Sequence, residues 1–262
     1  MSVIDPALDP AHDDGTASRP SLRASLGPSL GEQLLSDAGD LARTTVVAVP
    51  LGAVSVGVVA RVCMFVLAQT NPSVAGMTSD DGFTIHQFTL SGSLNLALVG
   101  AVFGALSGVC WTVLAPLKTG PAWFRRTSIS VGAGVVVGSQ LVHSDGIDFP
   151  FLDNPALLAV AMFVLIPVLH VLALDVLAVR VQERGLLRGP RWRATGLVLA
   201  LPMAPLVAVL AVLRALQHLV RQRPAGARWV AWPGWPWVAR AVLTVLFAVA
   251  VVSLGSDIAA LT

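Results

Sequence analysis

A few ionisable side chains stand inside long apolar runs, where each must be paired or do chemistry. His170 and Asp175 share the run Ala156–Val179, and Arg61 lies toward the end of Thr44–Ala68. Imidazole exchanges a proton near neutral pH, so His170, Asp175 and Arg61 form a candidate path for a proton or ion. The blander alternative for His170 is a hydrogen bond to a carbonyl of a neighbouring helix. Asp175, nearer the basic end of its run, has Arg180 and the Arg-rich stretch beyond it as partners. Ser107, counted along its own run, shares His170's depth of about 22 Å, and a hydroxyl beside an imidazole is a nucleophile beside its base.

Catalysis is nevertheless not assigned. The setting Ala105-Leu106-Ser107-Gly108 lacks the first glycine of the Gly-x-Ser-Gly of rhomboid proteases, which it otherwise resembles, and no His/Asn pair offers an oxyanion hole. No zinc-protease, phosphate-loop or haem-attachment motif occurs. Two loops are acidic and carry histidine: Asp80, Asp81 and His86 in one, His143, Asp145 and Asp148 in the other. Such groups could hold a divalent cation, but their spacing matches no metal motif, so neither a metal nor a cofactor is predicted. The same loops offer Arg61 a carboxylate, with Asp80 and Asp81 nearest in sequence. Snorkelling to the headgroups is its other option.

The elements that position these groups follow from composition. Of 262 residues 55% are hydrophobic and 12% charged. A soluble domain is about 25% charged, so this chain needs an apolar solvent. The net charge of +2 gives no reason to expect nucleic acid. Residues 1–42 are rich in Asp, Pro, Ser and Gly, and are expected to form a disordered cytoplasmic tail, with a short helical stretch over Leu34–Leu41. Residues 43–262 are expected to form an all-α, polytopic transmembrane bundle of about six segments. These are Thr44–Ala68, Gly92–Leu114, Thr127–Val142, Ala156–Val179, Thr195–Leu213 and Val238–Leu254.

Basic residues set the orientation. The loops at Thr70–Ser91 and His143–Pro155 contain no Lys or Arg. Lys118, Arg125 and Arg126, and then Arg180, Arg184, Arg188, Arg191 and Arg193, fill the alternate loops. The N-terminus is therefore predicted to be cytoplasmic, in a cell membrane. Arg214, Arg221, Arg223, Arg228 and Arg240 break the pattern if segment five spans. They keep it if Pro202 and Pro205 make that segment re-entrant. The sequence favours a spanning segment, because 19 residues are tight for two half-helices.

Gly100, Gly104 and Gly108, and again Gly134 and Gly138, recur at every fourth residue and mark faces for close helix packing, within the bundle or in a homo-oligomer. Cys63 and Cys110 are expected to be small core residues without a disulfide. The order Ala60-Arg61-Val62-Cys63-Met64, Asn71-Pro72, Asp81-Gly82-Phe83, then a Gly-rich helix, resembles a group of uncharacterised actinobacterial multi-pass membrane proteins. The resemblance covers about residues 50–180 and implies topology. The resulting expectation is a non-enzymatic membrane component, structural or regulatory, whose partner is the lipid bilayer. The alternative is a small-solute or ion transporter using the intramembrane ionisable residues.

Overall fold

The computed structural model describes residues 29–78, 84, 87, 89–142, 144, 156–222, 228 and 232–261. The protein is an all-α polytopic bundle. Its helices are α1 (Leu30–Gly52), α2 (Val59–Thr70), α3 (Leu90–Leu114), α4 (Ala122–Leu141), α5 (Ala156–Glu183), α6 (Pro190–Leu199), α7 (Ala204–Arg221) and α8 (Trp235–Leu261). A six-residue π-helix, Ala53–Val58, joins α1 to α2 without a break. Five helical stretches are long and apolar enough to cross a membrane: Leu30–Thr70, Leu90–Leu114, Leu157–Glu183, Leu201–Arg221 and Trp235–Leu261. α4 is not among them, since Arg125, Arg126 and several hydroxyls lower its hydropathy. It nevertheless runs the height of the bundle between α5 and α8.

The first helix starts well before Thr44. Ser29 and Glu32 form a capping box, in which Glu32 N–H donates to Ser29 Oγ (3.3 Å) and Ser29 N–H to Glu32 Oε2 (2.8 Å). That pair satisfies donors which a helix start otherwise leaves open. Residues 1–28 of the expected tail lie outside the described residues; from Leu30 the chain is helical, and Leu41 and Ala42 are buried.

α1 and α3 run antiparallel with their backbones in contact. A Cβ on Gly104 would overlap the Ala48 carbonyl oxygen, and one on Gly100 would lie 2.6 Å from Gly52 O and from Gly57 N. Gly57 in turn faces the Ala97 backbone, whose Cα would lie 2.6 Å from a Cβ on Gly57. A Cβ on Gly108 would meet the softer Ala48 Cβ at 3.1 Å. The small face of the first helix is thus Ala48, Gly52 and Gly57. Its spacing lengthens from four to five across the π-helix, whose i→i+5 bonds insert one residue and keep the face on α3.

α4 and α5 pack the same way, with side chains as knobs: Gly138 receives Val164 (Cγ2 at 2.7 Å from a built Cβ), and Gly134 receives Val168. All five predicted packing glycines are therefore spent against helices of the same chain. Cys63 is buried, as expected of a core residue. Cys110 is exposed, because it lies on the face of α3 turned away from α1.

The height of each helix follows from its contacts. Arg240 Nε donates to Leu117 O (3.4 Å) at the end of the bundle that carries Lys118. Ser144 N–H and Oγ–H donate to Asp257 Oδ1 (3.1 and 2.8 Å) at the other end. α8 therefore crosses the bundle once, beginning at the basic end.

Segment five departs from the favoured reading. Gly196 of α6 is pressed on the Ala42 backbone, and Arg193 reaches Gly39, so α6 enters beside α1 in the same direction. The break is a 3-10 turn at Leu201–Met203 that contains Pro202 and is followed by Pro205, neither of which can donate the next helical bond. α7 then returns, and Arg214 Nε reaches Asp37 Oδ2 at 3.0 Å. Asp37 lies near the start of α1, so both ends of segment five sit at the basic end. The 10 residues of α6 and 18 of α7 suffice for two legs, since the turn is only partway up α1.

The glycine contact yields a direct test. Gly104→Ala should lower stability in detergent by about 1–3 kcal/mol through overpacking. Gly255→Ala, where a Cβ meets open space, should be neutral or gain up to about 1 kcal/mol from helix propensity. Equal melting temperatures for the two variants would contradict the packing described.

Candidate functional site

Two polar clusters lie between the helices, both built on α5. The first surrounds His170, which is 3% exposed. Its Nδ1 is 2.7 Å from Ser55 Oγ in the π-helix, and its Nε2 is 2.8 Å from Ser107 Oγ on α3. Each hydroxyl also approaches a carbonyl of its own helix: Ser55 to Leu51 O (2.7 Å) and Ser107 to Gly104 O (2.9 Å). The backbone contact of α1 with α3 makes this possible, since it sets both serines within reach of one imidazole. Pro167, one turn earlier in α5, interrupts that helix's own ladder next to the site.

Hydrogen counting constrains the cluster. Four short contacts link the ring, the two hydroxyls and the two carbonyls, but two hydroxyls and a neutral imidazole supply only three hydrogens. If Nδ1 carries the hydrogen, it donates to Ser55, Ser55 donates to Leu51 O, and Ser107 donates to Nε2. If Nε2 carries it, the pattern reverses. Each arrangement omits one bond from a hydroxyl to a carbonyl that α-helical bonding already serves. The two tautomers are thus matched in bond count, and moving between them carries a proton from one side of the ring to the other.

The second cluster sits at the basic end. Asp175 Oδ1 accepts from Trp111 Nε1 (3.0 Å) and from Lys118 Nζ, and Oδ2 lies 3.4 Å from Arg126 Nε. Lys118, the single lysine of the chain, also lies over the Trp111 ring, 4.6 Å from its centroid. The group ties α3, its following turn, α4 and α5 together around one carboxylate.

Several expectations change. His170 is held by two serine hydroxyls, not by a neighbouring carbonyl. Asp175 pairs with Lys118 and Arg126, not with Arg180, because the side chain points toward the α3–α4 turn. Arg61 Nη2 donates to Gln87 O (3.0 Å), while the carboxylates expected for it, Asp80 and Asp81, lie outside the described residues. Asp80, Asp81, His86, His143, Asp145 and Asp148 lie outside the described residues. Among the described residues no group of three metal-ligating side chains occurs. Ser107 does meet His170, yet its hydroxyl is one of a symmetric pair within a packed helix interface.

Ser55 and Trp111 belong to the clusters without having been singled out by sequence, and Lys118 and Arg126 stand out there only as orienting charges. A signal existed for Lys118, a lone lysine in an arginine-rich chain. Ser55 offered only a hydroxyl amid an apolar run. Comparison of the chain with protein-family models, with characterised proteins and with solved structures gives no match.

The two clusters predict different responses. Ser107→Ala should fix the His170 hydrogen on Nδ1, where it donates to Ser55, and Ser55→Ala should fix it on Nε2. Nitrogen-15 NMR of labelled histidine would then report opposite tautomers in the two variants; the same tautomer in both would refute the hydrogen count. At the second cluster, the Lys118 and Asp175 side chains are 11% and 9% exposed, whereas Arg126 is 45% exposed. Lys118→Met should therefore cost about 3–5 kcal/mol by stranding a buried carboxylate. Arg126→Gln should cost less than about 1 kcal/mol. Unfolding in mixed detergent micelles would measure both, and the reverse order would contradict the assignment.

Proposed function

We propose that this is an integral protein of a bacterial cytoplasmic membrane, with its basic end in the cytoplasm, acting as a non-enzymatic structural or regulatory component. The observation that carries this reading is that both ring nitrogens of His170 and both carboxylate oxygens of Asp175 are engaged by other helices of the same chain. Polar groups used in this way hold helices together where the surrounding solvent cannot hydrogen-bond.

Orientation is supported by charge. With segment five folded back, Arg214, Arg221 and Arg240 join Lys118, Arg126 and Arg180 at one end, so the late exception to the positive-inside rule disappears. The likeness to actinobacterial membrane proteins agrees with the Arg- and Ala-rich composition.

A second reading, a proton-coupled transporter, draws on one observation: the two matched tautomers of His170 can pass a proton across the ring. Proteoliposomes with an imposed pH gradient separate the two. A structural component leaves the gradient decaying as in empty vesicles. A decay that is faster with protein, and restored to the empty-vesicle rate by His170→Phe, would favour the transporter instead.

Topology is tested separately with cysteines introduced at Gly189, Gln222 and Ala260 in a background lacking Cys63 and Cys110. An impermeant thiol reagent should label Ala260→Cys in intact cells, and the other two only after permeabilisation. Opposite sides for Gly189→Cys and Gln222→Cys would overturn the hairpin.

A further inference from the structure

α7 is the helix that the fold leaves uncovered. None of its residues is buried, and Val209, Val212, Leu216 and Leu219 are exposed along one side. Arg214, His218 and Arg221 follow at i, i+4 and i+7 and so share the opposite side. The apolar stripe runs from Val209 to Leu219, about 15 Å of helix. Behind it the chain continues to Trp232 and Trp235, whose rings meet edge to face at 5.8 Å.

Among the described residues, the polar side forms an ion pair with the bundle where Arg214 meets Asp37; both side chains remain about half exposed, at 52% and 46%. Arg221 is exposed, and Arg184, Arg188 and Arg191 stand at the same end of the bundle. An apolar stripe backed by basic side chains and followed by tryptophans matches the layer between acyl chains and phosphates, where each element has its own solvent. An acidic protein groove would satisfy the cations, but it would have to supply a matching apolar trough as well. A bilayer supplies both without further design.

We propose that α7, the returning leg of the segment-five hairpin, docks on anionic phospholipid where it reaches the basic end of the bundle. Its Val209–Leu219 stripe enters the acyl boundary, and His218 and Arg221 meet headgroup phosphates. This rests on the integral-membrane reading and adds to it a lipid class and a docking element. Each basic side chain near such a surface strengthens association about fivefold. The attraction is screened by salt.

Full-length protein in nanodiscs of phosphatidylcholine alone, or of phosphatidylcholine mixed with phosphatidylglycerol, tests the proposal by hydrogen exchange over residues 204–221. Exchange should slow in the phosphatidylglycerol discs, and high salt should remove most of the difference. Arg221→Gln should reduce the difference about fivefold, and Gln222→Ala should leave it unchanged. Equal protection in both discs would overturn the anionic selectivity. Fast exchange in both would leave the stripe to a protein partner and overturn the docking itself. Extraction of the chain by alkaline carbonate would instead defeat the integral-membrane reading, a distinct outcome read before any disc is made.

Discussion

The approach of α1 to α3 is the contact on which the interior depends. Ordinary side chains hold helix axes about 8–10 Å apart. Here Ala48, Gly52 and Gly57 face Gly100, Gly104 and Gly108, and backbone touches backbone. Close packing of this kind suits a bundle in an apolar solvent, where helices gain little from excluding lipid and must gain from contact. The π-helix is part of the same device. Without its extra residue, Gly57 would turn off the seam and a bulkier neighbour would replace it.

The polar interior follows from that contact. Ser55 and Ser107 belong to helices that meet backbone to backbone, so their hydroxyls converge on one ring from α5. A wider separation would leave one ring nitrogen without a partner in a medium that offers none. At the basic end the constraint is charge: Asp175 is tolerable because Lys118 lies against it and Trp111 donates to it, while the more exposed Arg126 adds little. α3 and α5 are thereby joined at two heights, with the first helix bound in at one and α4 at the other, which leaves α8 and the α6–α7 hairpin to pack around them.

Much of the architecture was legible in the sequence. The apolar runs gave the helices, and the spacing of Gly100, Gly104 and Gly108 gave the packing face of α3. The complementary face did not show, because Gly52 and Gly57 are five apart and match a small-residue pattern only once a π-turn is allowed. The depth count put Ser107 level with His170, but nothing local marked Ser55 as the second partner, since that depends on which face of the first helix meets α5. The partner of Asp175 is hidden for a similar reason: Arg180 is near in sequence, whereas Lys118 is near in space. The length of segment five allows a single span. The arginines that follow it carried the correct signal, and it weighed less than the apparent shortage of residues for a hairpin.

The central claim is that one imidazole bridges two helices that glycine brings together. Rotational-echo NMR on protein labelled with nitrogen-15 histidine and carbon-13 serine, in lipid, measures it directly. The account predicts dephasing of Ser55 Cβ by Nδ1 and of Ser107 Cβ by Nε2 in the same sample. Dephasing of only one serine, or of neither, would contradict it.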